Sequence, residues 1–104
     1  MPESRLEVFT RFLEKDPDNS FARYSLAMEY RGANDLEMAL KTFEELLGRD
    51  PSYVAAYLMA GQVGVALDET EKARKILTKG IEAAKKAGNE HAVSKMNEIL
   101  KSIA

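Results

Sequence analysis

The chain has 104 residues, of which 45% are hydrophobic and 31% charged, with three prolines and six glycines; it can build one core but not two, and its composition is that of a folded domain. A net charge of -2 argues against a phosphate-backbone binder, whose affinity needs a surplus of Lys and Arg facing the nucleic acid. The absence of cysteine excludes disulfides, thiolate metal ligands and a thiol nucleophile.

In chain order, Met1 to Arg5 lead directly into an amphipathic pattern with no apolar targeting segment. No stretch approaches the roughly 18 apolar residues of a membrane span, so a cytoplasmic chain without membrane contact is expected. Leu6, Phe9, Phe12 and Leu13 have helical spacing and predict a helix over about 3–15, closed by Asp16-Pro17, because the residue before proline is pushed out of the helical region. A second helix is expected over 19–32. Asn34 with Glu37 has capping-box spacing and opens a third helix over 35–48, carrying Leu36, Ala39, Leu40, Phe43, Leu46 and Leu47 and closed by Asp50-Pro51.

The fourth helix, expected over 52–66, contains Gly61-Gln62-Val63-Gly64. No strand pattern precedes this pair of glycines and no Lys-Ser/Thr follows it, so close helix packing, and not a phosphate loop, is the reading. Gly64 forgoes about 1 kcal/mol of helix propensity relative to Ala and predicts a neighbour pressed against it, either the last helix or a ligand. Asp68 with Glu71 repeats the capping spacing and opens a fifth helix over 69–87, stopped at Ala87-Gly88. Its Lys72, Arg74, Lys75, Lys79, Lys85 and Lys86 are interleaved with acids and read as a solvated face. A sixth helix over 90–103 carries Ala92, Val93, Met96, Ile99, Leu100 and Ile103.

No set of residues supports catalysis. His91 is the one histidine, so no two-histidine metal motif exists. The adjacent carboxylates Glu44 and Glu45 diverge by about 100° on a helix. A non-enzyme without cofactor or metal is expected.

A shift of 34 residues brings like onto like: Phe9 on Phe43 on Leu77, Leu13 on Leu47 on Ile81, and Asp16-Pro17 on Asp50-Pro51. Short links at a constant period predict antiparallel helix hairpins stacked into a right-handed all-α array of about six helices. Ser20 to Tyr53 resembles one full tetratricopeptide repeat, with Leu26, Ala27, Tyr30, Ala39, Phe43 and Pro51 at positions the family pattern favours. Val54 to Ala87 is similar to a looser copy in which Gly64 replaces a Tyr and Lys85 a Pro, which lets the fifth helix run long. On this resemblance 1–104 is a single domain, made of a half repeat (1–19), two repeats (20–53 and 54–87) and a capping helix (88–104).

The resemblance implies a scaffold that binds a protein or peptide in a concave groove lined by the first helix of each pair. The groove would present Phe21, Tyr24, Met28 and Arg31, then Leu58, Met59, Gln62 and Val65. In the chaperone-docking branch of the family, Lys, Asn and Arg clamp a C-terminal carboxylate at such positions. Tyr24, Met28 and Met59 stand there instead, and that clamp is not expected. The mostly apolar, Met-containing surface suits an amphipathic helix or an extended apolar peptide. The alternative is that the last helix lies in the groove and closes it, leaving a self-contained oligomerisation protein. Phe9, Phe12 and Leu13 have no partner helix ahead of them and are the candidate contact of a homodimer.

Overall fold

The computed structural model describes residues 4–104, and among them six helices form and no strand does. They are α1 (Arg5–Lys15), α2 (Ser20–Gly32), α3 (Leu36–Arg49), α4 (Val54–Ala66), α5 (Thr70–Lys86) and α6 (Glu90–Ser102). The expected start at residue 3 lies outside the described residues. None of the described helices is long and apolar enough to cross a membrane.

Two kinds of joint alternate along the chain. After α1 and α3 the chain turns at Asp16-Pro17 and Asp50-Pro51, with nearly identical backbone at the two aspartates. Each proline carbonyl is held by the residue six positions on, but by different chemistry. Arg23 Nη1 donates to Pro17 O at 2.6 Å, and the Tyr57 hydroxyl donates to Pro51 O at 2.7 Å. Arg23 is 8% exposed because this bond satisfies its guanidinium where its stem packs.

After α2 and α4 the joint is a left-handed turn, and here the expected capping boxes need correction. Asn34 and Asp68 have φ of 60° and 61°. They follow the end of the preceding helix, where the Asp35 N–H reaches Tyr30 O and the Glu69 N–H reaches Gly64 O, both at 2.9 Å. Asn and Asp tolerate this conformation where no glycine is present. The residue before α3 is Asp35, whose Oδ1 accepts from the Met38 N–H at 3.3 Å; Glu69 before α5 gives no side-chain cap. A side-chain cap is present at Ser4, whose Oγ accepts from the Glu7 N–H at 3.2 Å and donates to Glu7 Oε1 at 3.1 Å.

The helices pack as antiparallel pairs stacked into a right-handed solenoid, 46 × 28 × 19 Å overall. α2 lies on α3 and α4 on α5, while α1 packs mainly on α2, and α6 rests on α5 and α4 as the first helix of a further pair would. Three clusters form the core. Leu13, Ala22 and Leu26 join α1 to α2; Ala27, Ala39, Phe43, Leu46 and Ala60 centre the middle; Tyr57, Leu77, Ala84 and Met96 centre the end. Tyr30 touches the first two, and Leu47 and Ile76 touch the last two, so the core is one continuous strip.

Small residues set the distance between helices. Ala27, Ala39 and Ala73 are fully buried where helices cross. A Cβ on Gly61 would fall 2.6 Å from Leu77 Cγ, and one on Gly64 would fall 3.1 Å from Ala73 Cβ. The neighbour pressed against Gly64 is therefore α5, its own pair partner, and not α6 or a ligand. α5 runs to Lys86 and is ended by Gly88 at φ 71°, as the lost proline led one to expect.

Asp50 ties neighbouring units together: its Oδ1 accepts from Ser52 Oγ and its Oδ2 from Ser20 Oγ, both at 2.8 Å. These two bonds, Ser52 first and Ser20 second, hold the carboxyl below its ordinary value near 3.8. A lowered folded-state pKa contributes stability that is present above the ordinary value and lost as pH falls through the folded one. Asp50→Asn should therefore lose less stability than the wild type between pH 5 and pH 2, a difference measurable by urea unfolding at each pH.

Candidate functional site: the inner helix face

The first helices α2, α4 and α6 form one row and the second helices α1, α3 and α5 the other. Arg31 Nη2 donates to Gln62 Oε1 at 3.4 Å and bridges α2 to α4 along the first row. Glu44 and Lys72 pair at 3.6 Å across α3 and α5 along the second.

On the inner face α2 presents Phe21, 68% exposed, then Tyr24 and Met28, both half-buried, and Arg31, exposed. The Tyr24 ring meets Phe43 edge-on at 5.9 Å and lies 5.3 Å from the Tyr53 ring. Burial raises the Tyr24 hydroxyl pKa against a smaller opposing pull from Arg31; burial also raises Tyr53, with Tyr24 and Asp50 adding to it. Both phenols are neutral donors at pH 7, so this part of the face is aromatic and uncharged.

From α4 come Met59, packed on the middle cluster, and Gln62 and Val65, half-buried and in none of the core clusters. Leu58 differs: it packs on the end cluster with Met96, towards α6. The expected groove residues thus fall into two groups. Phe21, Tyr24, Met28, Arg31, Met59, Gln62 and Val65 lie along α2 and α4, joined across them by the Arg31–Gln62 bond, whereas Leu58 packs on the end cluster. Tyr53, which helical periodicity does not single out, stacks on Tyr24 because it precedes α4 directly.

Of the three residues expected at a homodimer contact, Phe12 is 50% exposed and Phe9 half-buried, but Leu13 is only 9% exposed. Leu13 faces α2 and packs on Ala22 and Leu26, so it does not belong to an open surface. Val8, 40% exposed, does.

On the opposite face two cations of α5 serve the fold, while Lys75, Lys79, Lys85 and Lys86 are exposed. Lys72 pairs with Glu44, and Arg74 pairs with Glu71 while also donating to Ile103 O at 2.9 Å, which fastens the end of α6. His91 is exposed at the start of α6. Among the described residues no group of three or more His, Cys, Asp or Glu side chains is placed to hold a metal ion.

The comparisons with known proteins agree with this architecture. The family model described as tetratricopeptide repeat matches residues 30–92. The crystal structure of a tetratricopeptide-repeat domain protein from Salinibacter ruber superposes with a TM-score of 0.77 at 33% identity, covering 82% of this chain and 96% of that one. The chain belongs to the tetratricopeptide-repeat family, and its fold is that of a protein-interaction module. The TPR2B domain of yeast Sti1, solved in a complex with pHsp70, has a TM-score of 0.87 at 14% identity, covering 94% of this chain and 78% of that one. A Bordetella parapertussis protein solved in solution has a TM-score of 0.82 at 22% identity over 98% of this chain and 89% of that one. At these identities both show the fold alone. No curated protein is significantly similar in sequence.

Proposed function

We propose that the chain is a non-catalytic adaptor that docks an apolar peptide or amphipathic helix along the α2–α4 part of its inner face. The observation that carries this reading is the surface running from Phe21 through Tyr24 and Met28 to the Arg31–Gln62 bridge. It is apolar and aromatic along most of its length, with one hydrogen-bonding pair at its far end. Thioether and aromatic side chains can adapt to partners of differing shape, and the bridge can exchange its internal bond for one to a peptide backbone.

Tyr24, Met28 and Met59 supply no charge, which speaks against capture of a C-terminal carboxylate; the likeness to the Sti1 domain is one of fold. Closure of the groove by the chain's own last helix is the less favoured reading. α6 packs on α4 and α5 as the third helix of the row, and Phe21 stays 68% exposed at the other end.

The test uses peptides selected by display from a random library against the full chain. Titrated into isotope-labelled protein, a selected peptide should shift the resonances of Tyr24, Met28, Arg31, Gln62 and Val65. Val65→Glu should weaken it by about tenfold or more, because it places a carboxylate against an apolar ligand, and should leave the thermal midpoint nearly unchanged. Shifts confined to α3 and α5 would refute the groove.

A further inference from the structure

The three large apolar side chains most exposed among the described residues are Val8, Phe12 and Phe21, and all lie at the α1 end of the solenoid. The repeat register sets this end beside the middle of the array. Val8, Phe9 and Phe12 of α1 correspond to Thr42, Phe43 and Leu46 of α3, which are 4%, 0% and 0% exposed because α2 and α4 cover them. The face that receives a first helix on α3 is open on α1. Beside it, between α1 and α2, runs a cleft of about 370 Å³ lined by Arg5, Phe9, Phe21, Tyr24, Met28 and Glu29.

Charge selects the occupant. Helical spacing places Arg5 about 20° and Lys15 about 60° around α1 from Phe12, whereas Glu7 and Glu14 lie about 140° and 160° away. On α1 the open stripe is bordered by Arg5 and Lys15 while the helix's own acids point elsewhere; the one acid at this edge, Glu29 of α2, is more buried than Arg5 and is paired with it. A second copy of α1 laid on this stripe would set Arg5 against Arg5 when parallel and Arg5 against Lys15 when antiparallel, both repulsive. Arg5 also stands where Ala39 and Ala73 are fully buried at later crossings. A covering helix must pass over a guanidinium whose side chain is 82% exposed. That guanidinium pairs with Glu29 at 2.9 Å through Nε, one of its five donors.

We propose that the α1–α2 edge docks an amphipathic helix of another protein, with its apolar face over Phe9, Phe12 and Phe21 and its carboxylates facing Arg5 and Lys15. The helix lies on α1 as α2 and α4 lie on α3, on a site that shares Phe21, Tyr24 and Met28 with the α2–α4 groove but extends from them onto Phe9 and Phe12 and away from Gln62 and Val65. The concave cleft suits a cylinder of side chains and not the flat surface of an anionic membrane.

Two synthetic helical peptides of about 15 residues, sharing one Leu/Phe face and flanked by either Glu or Lys, test this on the full chain. The Glu-flanked peptide should shift Val8, Phe12 and Phe21 and bind about three- to tenfold tighter than the Lys-flanked one, as two exposed rim ion pairs supply. Arg5→Gln together with Lys15→Gln should erase that preference, and Phe12→Ser should weaken both peptides without unfolding a chain in which Phe12 is half exposed. Equal binding of the two peptides would overturn the proposal, as would shifts confined to Gln62 and Val65. Self-association of the chain that Phe12→Ser abolishes would assign the face to a second copy instead. Partition onto phosphatidylserine vesicles would assign it to a membrane. The groove reading stands or falls on Gln62 and Val65, so failure of one leaves the other intact.

Discussion

Gly80→Leu is expected to destabilise the protein by about 3 kcal/mol or more, at the upper end of the range for overpacked cores, and to loosen α6 before the rest. The substitution installs the residue that the repeat itself suggests, since Leu46 occupies the equivalent place in α3 and is fully buried. At Gly80 even a Cβ would fall 2.5 Å from Tyr57 Cβ and 2.6 Å from Met96 Sδ. Met96 is fully buried there, so α6 has taken the volume that a leucine fills one repeat earlier. Hydrogen exchange should speed up in α6 first. Met96→Ala added to Gly80→Leu should recover part of the loss, because it removes one of the two clashing groups. Two additive losses would show that Met96 is not the obstacle.

The second large effect is expected at Phe43. Its ring is fully buried at the centre of the middle cluster and meets Tyr24 edge-on. Phe43→Ala should remove about 3–5 kcal/mol through lost transfer energy and an unfilled cavity, a large share of the roughly 5–15 kcal/mol that holds a domain together. The thermal midpoint should fall by about 15–30 °C. The same substitution at Phe9, the equivalent position in α1, should do much less because Phe9 is covered mainly by α2. If thermal unfolding showed equal losses at the two sites, the structural difference between an end helix and a central one would be wrong.

The architecture was legible because its signals are local and recur. Phe9, Phe43 and Leu77 repeat at a fixed interval, and Asp16-Pro17 and Asp50-Pro51 end helices by backbone sterics that need no tertiary context. Asn34 and Asp68 were ambiguous for a physical reason. A short polar side chain serves equally as the cap that opens a helix and as the left-handed residue that follows one. Only the bonds closing α2 and α4, onto Tyr30 O and Gly64 O, show which applies. The role of Gly80 was hidden because its causes, Tyr57 and Met96, lie on other helices. At the candidate site, helical spacing grouped Phe9, Phe12 and Leu13 on one side of α1, yet adjacent residues diverge by about 100°. Leu13 turns to α2, and Phe12 is left beside Val8. Leu58 has the spacing of a groove position, and its packing on the cluster that includes Met96 of α6 is a contact no spacing rule foresees.

The core is a strip in which Tyr30, Leu47 and Ile76 join each cluster only to the next, and this arrangement bears on how the chain reaches its fold. Residues that touch are close in sequence, so little loop entropy must be surrendered before contacts form, and folding belongs with the fast, zipper-like kinetics of helical arrays. Disassembly runs the other way, from the rung with fewest neighbours. That rung is α1, held mainly by α2, while α6 is held by two helices and by the Arg74 bond to Ile103 O. The array therefore peels from its aromatic end.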